Sequence, residues 1–348
     1  SSAGWDDLYL AQLPPPRVAE FGHLLHHFAF PTLVAADPPI HTRLRKLVHR
    51  AFTPRSVASL RDAIQDTVDR LITEALAAGD FDILRDLAIP LPVSIFAQMF
   101  GIAPSSHGML KATSADFTRF VSNVRADLDE ARQADASLGA FRAFLLDTLE
   151  ARRADPRDDL VTILVSPDLH NDVLTNDELL SLCAHLLIAG HETTTNLITN
   201  GLFALLTHPD QLAALRADQA LYGPAIEEML RWETPLQRVK RMTTTRMELG
   251  GERIEAGERL MLLIGAANRD PRAFERPEEF DCTRARAPHL ALGHGIHFCL
   301  GAALARLEAE IAIATVVNRI PQLRLHDDWT PTWNPSLLRG LAALPVRT

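Results

Sequence analysis

Cysteine is scarce in this chain, with three among 348 residues (Cys183, Cys282 and Cys299). An odd, sparse set excludes a disulfide framework and points to a reducing compartment, hence a cytoplasmic protein. No CxxC pair occurs, so neither a ribbon-type zinc site nor an iron–sulfur cysteine set is present. Positive charge is also in deficit: 35 Lys and Arg face 44 Asp and Glu, for a formal charge of -9. That balance argues against a nucleic-acid binder. Long uninterrupted apolar runs are missing too. The best candidate, residues 182–206, carries Glu192 near its middle, which costs about 3 kcal/mol in a bilayer, and His185, His191 and several threonines add to that. A buried helix in a protein without a membrane segment is the better reading. The first twelve residues lack the basic start and apolar stretch of a secretory leader. There is no internal repeat and no flavin module.

What the chain does have is apolar bulk, 47% of its residues, enough for a sizeable core in one large domain or two ordinary ones. Helical periodicity dominates residues 51–154, with Ile64, Val68, Leu71, Ile72 and Leu76 on one stripe and Phe141, Phe144, Leu145 and Leu149 on another. Thr175 with Glu178 makes a capping box that starts a long helix ending before His208-Pro209. Residues 236–265 are the most strand-like part, punctuated by Gly250-Gly251 and Ala256-Gly257. A helix follows Cys299 to about Arg319, and a weakly strand-like tail closes the chain.

The densest chemistry lies in Leu292-Gly293-His294-Gly295-Ile296-His297-Phe298-Cys299-Leu300-Gly301. Three glycines permit tight turns and close approach of another group. The cysteine is expected in the first turn of the following helix, where free N–H groups and the helix dipole favour a thiolate. Such a thiolate is a nucleophile or a metal ligand. Phe298, Cys299 and Leu300 could instead be ordinary core, and His294, His297 and Cys299 could form part of a zinc site.

Four other patterns stand out. His41 and Arg45 are i and i+4 after Pro38-Pro39, so they share one helix face, a solvated basic face on that evidence alone. Ala189-Gly190-His191-Glu192-Thr193-Thr194-Thr195 puts a glycine and three threonines in mid-helix, a poor choice by propensity that invites backbone distortion and marks a functional site. A zinc-peptidase reading of it fails, because position 195 is Thr rather than His. Glu228 and Arg231 meet at i, i+3. Arg241 is a charge within the strand-like region.

The ten-residue loop resembles the haem-binding signature of the cytochromes P-450, Phe-Gly-x-Gly-x-x-x-Cys-x-Gly. Gly293, Gly295, His297, Cys299 and Gly301 match it, while Leu292 replaces the Phe that normally shields the sulfur. The resemblance runs from about Asp37 to the end, although members of the family usually have more chain before that point. It implies a mainly α fold with small β-sheets, a single domain over residues 1–348 around a buried haem b. It makes Cys299 the iron ligand, and Gly293, His297 and Gly301 neighbours of the haem. His41, Arg45 and Arg241, with His297, are then the propionate-binding set. Glu192 and Thr193 match the acid–threonine pair that relays protons to oxygen. Glu228 and Arg231 match a bracing ion pair completed by Arg284. Phe117, Phe120 and Val121 are candidates for the roof of a substrate cavity, and Gln237 and Arg238 for polar groups near it.

The implied activity is monooxygenation of a hydrophobic small molecule with O2, as in bacterial secondary metabolism. Electrons would come from a ferredoxin and its reductase, docked on the basic helix at 43–50. Three alternatives compete. Peroxide-using peroxygenases of the same family lack the acid–threonine pair, and its nitric-oxide reductases lack the acid. A haem-binding sensor would leave Glu192 and Thr193 without a purpose.

Overall fold

The computed structural model describes residues 13–30, 32–122, 127–167, 172–284, 288–334 and 336–348. The opening residues 1–12, read above as lacking a leader, lie outside them. The chain is mainly helical with three small sheets, as the resemblance implies. It divides into two compact units: Ser1–Ala51, Ala97–Ala189 and Arg238–Leu262 form one, and Phe52–Phe96, Gly190–Gln237 and Leu263–Thr348 the other.

In the first unit, the Leu128–Ala154 helix buries Ala131, Ala134, Leu138, Phe141, Leu145 and Leu149, spaced by three or four residues so that they make a single apolar stripe. It packs against His107–Ser122. Its last turn buries Arg152, which is paired with Asp159 and donates to the Gly101 carbonyl at 3.0 Å. Both ions are almost fully enclosed, so each depends on the other to remain inside. Phe117 and Phe120 are core: Phe117 packs edge-on to His27 with centroids 4.9 Å apart. Two short strand pairs follow along the chain. Met247–Leu249 lies antiparallel to Glu252–Ile254, turned by Gly250 and Gly251 at φ +62° and +87°. Arg238–Met242 pairs with Arg259–Leu263.

In the second unit, Arg61–Ala78 buries Ile64, Val68, Leu71, Ile72 and Ala75 and ends on Gly79 in the left-handed conformation. The break falls at Gly79, and the stretch just beyond it, also read as helical, holds a strand. Phe81–Asp82 is a short strand opposite Val346 and Pro345, and Leu84–Ala88 is a π turn. Arg324–Leu325 flanks the other side of Pro345–Arg347. The Asp82 carboxylate accepts from Arg85 N–H and Leu344 N–H, so one side chain holds both the turn and the sheet. Pairing across more than 250 residues leaves no local signal, which is why periodicity alone missed it. The Ala302–Arg319 helix supplies Leu307, Ala309, Ile311, Ala312, Ile313, Val316 and Val317 to this unit's core.

The Asn176–Thr207 helix opens on the expected capping box. Glu178 N–H donates to Thr175 Oγ1 at 3.2 Å, and Thr175 N–H donates to Glu178 Oε2 at 2.8 Å. No helix among the described residues is long and apolar enough to cross a membrane.

Candidate active site

The cysteine loop belongs to the second unit. Gly293 and Gly295 have φ of +75° and +70°, a region that disfavours any side chain. Their turns let Cys299 N–H reach back to the Leu292 carbonyl at 2.8 Å, closing the loop on itself. The helix begins at Ala302 with Gly301 as N-cap. Cys299 therefore stands two residues before the cap, outside the first turn where the spacing placed it. Its amide is committed to Leu292, and its carbonyl faces Ala302 N–H at 3.4 Å.

Three observations suit a flat apolar group with one soft ligand. Cys299 is half-buried, whereas Cys183 and Cys282 are fully buried. Burial pushes both of those thiols up, Cys282 to about 12, so neither is an accessible thiolate. Leu290, Ile296 and Phe298, on or next to the loop, are 37%, 50% and 39% exposed, an unusual density of uncovered apolar surface. Gly301 has φ -83°, and a Cβ there would meet no protein atom within 4 Å. Neither backbone nor neighbours demand glycine at 301; a group lying against the loop would.

Also in this unit, Glu192 and Thr193 are half-buried, while His191, Thr194 and Thr195 are buried. The helix runs unbroken through them, without the distortion that propensity led us to expect. Thr195 shows one reason: its Oγ1 donates to the Ala88 carbonyl at 2.9 Å, not to its own helix. Gln237 is tied back to the Thr234 carbonyl at 2.6 Å. Arg238, in the first unit, is exposed.

The first unit holds the cations. His41 is 2% exposed on the Ile40–His49 helix, and Arg45 is half-buried one turn later, so this face points inward rather than into solvent. Arg241 is half-buried, with Nη1 on the Lys240 carbonyl at 2.7 Å. Arg43, expected as part of a free basic surface, is instead occupied. It donates to Glu178 at 2.6 Å, Asp172 at 2.9 Å and the Val173 carbonyl at 2.8 Å. Thus His41, Arg45 and Arg241 fall in one unit, and Glu192, Thr193, Gly293, His297, Cys299 and Gly301 in the other.

The bracing network is built as the resemblance implied. Glu228 accepts from Arg231 at 2.7 Å through both oxygens and from Arg284 at 3.0 Å, and Arg231 also donates to the carbonyls of Asn268, Pro277 and Glu279. Every charge here is paired, which a buried ion cluster requires.

Sequence reasoning missed Glu227, His289 and Glu308. The first was overshadowed by Glu228 beside it, and the second by the histidines of the loop. Glu308 reads as a surface acid in an Ala-Arg-Leu-Glu run, yet it is 3% exposed and its Oε2 is buried without a hydrogen-bond partner. Burial pushes its carboxyl up to about 8. The folded protein therefore keeps a proton that the unfolded chain releases above about pH 4.5, so stability falls as pH rises from there to about 8. Glu308→Gln is expected to flatten that decline by about 1.4 kcal/mol per pH unit, measured as unfolding free energy against pH. Parallel curves for parent and variant would contradict it.

The chain is similar to known proteins over most of its length. A family model described as Cytochrome P450 matches residues 94–327. The chain is 42% identical to Cytochrome P450 monooxygenase PikC of Streptomyces venezuelae over 90% of its own length and 75% of that protein. It is 39% identical to a steroid C26-monooxygenase of Mycobacterium tuberculosis, covering 91% of this chain and 86% of that one. Among solved structures, P450BioI in complex with an acyl carrier protein bearing hexadec-9Z-enoic acid superposes with a TM-score of 0.89 at 36% identity, over 97% of this chain and 86% of that one.

Proposed function

The chain belongs to the cytochrome P450 family, and from that membership we propose that it is a cytoplasmic, single-domain haem b monooxygenase in which Cys299 supplies the proximal thiolate. The observation that carries the ligand assignment is the accessible Cys299 on a self-closed glycine loop rimmed by exposed apolar side chains, beside two cysteines whose burial disqualifies them. Haem held by a thiolate brings oxygen activation, because electron donation from sulfur favours O–O cleavage.

The chain's own residues do the rest. His41, Arg45, Arg241 and His297 would neutralise and orient the propionates, which need cations or donors in a desolvated slot. Gly293 and Gly301 would let the porphyrin lie against the loop. Glu192 and Thr193 would hold and pass protons on the oxygen side. His41→Ala and Arg45→Ala are each expected to weaken haem retention without altering thiolate ligation, since a charge-assisted hydrogen bond contributes about 1.5–3 kcal/mol. Haem affinity unchanged in the double variant would return the pair to a surface role.

The substrate is a hydrophobic small molecule. A steroid and a hexadecenoyl chain appear in the names of two relatives, and a shared fold does not fix which substrate this chain takes. Electrons would come from a ferredoxin and its reductase. Arg43 being engaged, Lys46 on the Ile40–His49 helix and Arg50 at its cap are the cations assigned to docking. The test is turnover of haem-loaded protein with ferredoxin, reductase and labelled O2 against a panel of steroids, macrolides and free or carrier-bound acyl chains. One labelled oxygen atom per product supports monooxygenation. Product formed with peroxide but not with O2 and ferredoxin would favour the peroxygenase, and haem binding without product across the panel would favour a sensor.

A further inference from the structure

Glu227 and Glu228 are neighbours on the Tyr222–Trp232 helix, so they leave it about 100° apart and reach different partners. Glu228 serves the bracing network described above. Glu227 reaches the cysteine loop from both ends. Its Oε1 accepts from Arg306 Nε at 2.5 Å, and its Oε2 accepts from Arg306 Nη2 at 3.0 Å and lies 3.3 Å from His289 Nε2. His289 is on the arm leading into the loop, and Arg306 is on the helix leaving it.

The incoming arm is held by three further hydrogen bonds. His289 Nδ1 accepts from Ala291 N–H at 3.2 Å, which leaves the ring proton on Nε2, facing Glu227. Leu290 N–H donates to Asn268 Oδ1 at 2.8 Å. Gly293 N–H then closes on the Leu290 carbonyl at 2.9 Å. A cavity of about 420 Å³ lined by Gly223, Glu227, His289, Arg306 and Glu310 adjoins the contact, so these bonds rather than close packing hold the two arms together. Burial opposes ionisation of Glu227, but the hydrogen bonds from His289 and Arg306 outweigh it and hold the carboxyl at about 2. It is a fixed anion throughout the neutral range.

We propose that Glu227 is a positioning residue: by gripping His289 and Arg306 with one carboxylate, it fixes the two arms of the Cys299 loop and so sets the position from which the sulfur would reach the iron. This rests on the reading of Cys299 as the haem ligand. Glu227 touches no reacting atom itself. It acts through the loop, much as an outer partner orients a metal-binding side chain.

The experiment compares parent, Glu227→Ala, Glu227→Gln and Arg306→Lys with Glu310→Ala, a carboxylate of the same cavity that pairs with Arg61 at 3.6 Å and grips neither arm. Two quantities are read. One is the alkylation rate of Cys299 by iodoacetamide in haem-free protein, where Cys183 and Cys282 are shielded. The other is the share of the reduced carbon-monoxide complex absorbing at the thiolate position. Glu227→Ala is expected to speed alkylation by about tenfold or more, the weight of one hydrogen bond to an ionised carboxylate, and to shift part of the complex away from the thiolate position. Arg306→Lys keeps the charge but loses the two-pronged contact, so it should fall between the parent and Glu227→Ala. If Glu227→Ala does not fold, Glu227→Gln carries the comparison, because its single acceptor cannot grip both arms. Parent values for both readouts in the Glu227 variants overturn the proposal, as does an equal effect from Glu310→Ala. A parent lacking the thiolate band would instead contradict the Cys299 assignment.

Discussion

Cys299→Ser is expected to abolish the strongly red-shifted Soret band of the reduced carbon-monoxide complex, while Cys183→Ser and Cys282→Ser retain it. The band reports a thiolate on the iron, and a serine hydroxyl does not replace that ligand. The reason for choosing Cys299 is physical as well as positional. Cys183 and Cys282 have no solvent exposure, and burial raises both thiols, so ionising either would place an uncompensated charge in the interior. Cys299 alone is half-buried, on a loop that two left-handed glycines turn back on itself. Cys299→His should retain haem at best and lose the band. The effect is all-or-none, and reading it requires only reduced protein and carbon monoxide. Loss of the band in Cys183→Ser with retention in Cys299→Ser would reverse the assignment.

What could be read from the sequence is what depends on neighbours along the chain. The capping box of Thr175 and Glu178, the helix after Cys299 and the strand-like region near 238–263 all appear where local pattern put them. The glycine–cysteine loop was legible for the same reason: its glycines, histidines and cysteine lie within ten residues. Contacts across long separations were not. Phe81 pairs with Val346, and Arg43 is claimed by Asp172 and Glu178, so a helix read as a basic docking face carries less free charge than its composition suggests. Glu227 looks like one acid of a surface pair until His289 and Arg306 are seen to meet it. Propensity also overstated the distortion of the Gly190–Thr195 segment, where the Thr195 hydroxyl bonds outside its own helix.

Thr193→Ala is expected to keep the carbon-monoxide band and the substrate-induced spin shift, yet to divert oxygen into hydrogen peroxide. Splitting O2 into water and one transferred atom needs two protons delivered to the same oxygen atom. Delivery to the other atom releases both together as peroxide and wastes the electrons. A hydroxyl can fix the direction of delivery, and a carboxylate one residue earlier can supply the proton from further out; Thr193 and Glu192, both half-buried, have the chemistry for those tasks. A positioned proton donor contributes typically about 10²–10⁴-fold, so product per reduced cofactor should fall by at least about tenfold even with water substituting in part. Glu192→Gln should slow oxygen consumption and change its solvent isotope effect. Thr194 and Thr195 are internal controls. Successive residues leave a helix about 100° apart, and Thr195 is already committed to the Ala88 carbonyl at 2.9 Å. Thr194→Ala should therefore leave coupling near the parent value, and Thr195→Ala should lower stability rather than coupling. The deciding measurement is the ratio of product formed to cofactor oxidised, with peroxide counted alongside. A parent-like ratio in Thr193→Ala would remove the proton-relay role of this motif while leaving the cysteine ligand assignment intact.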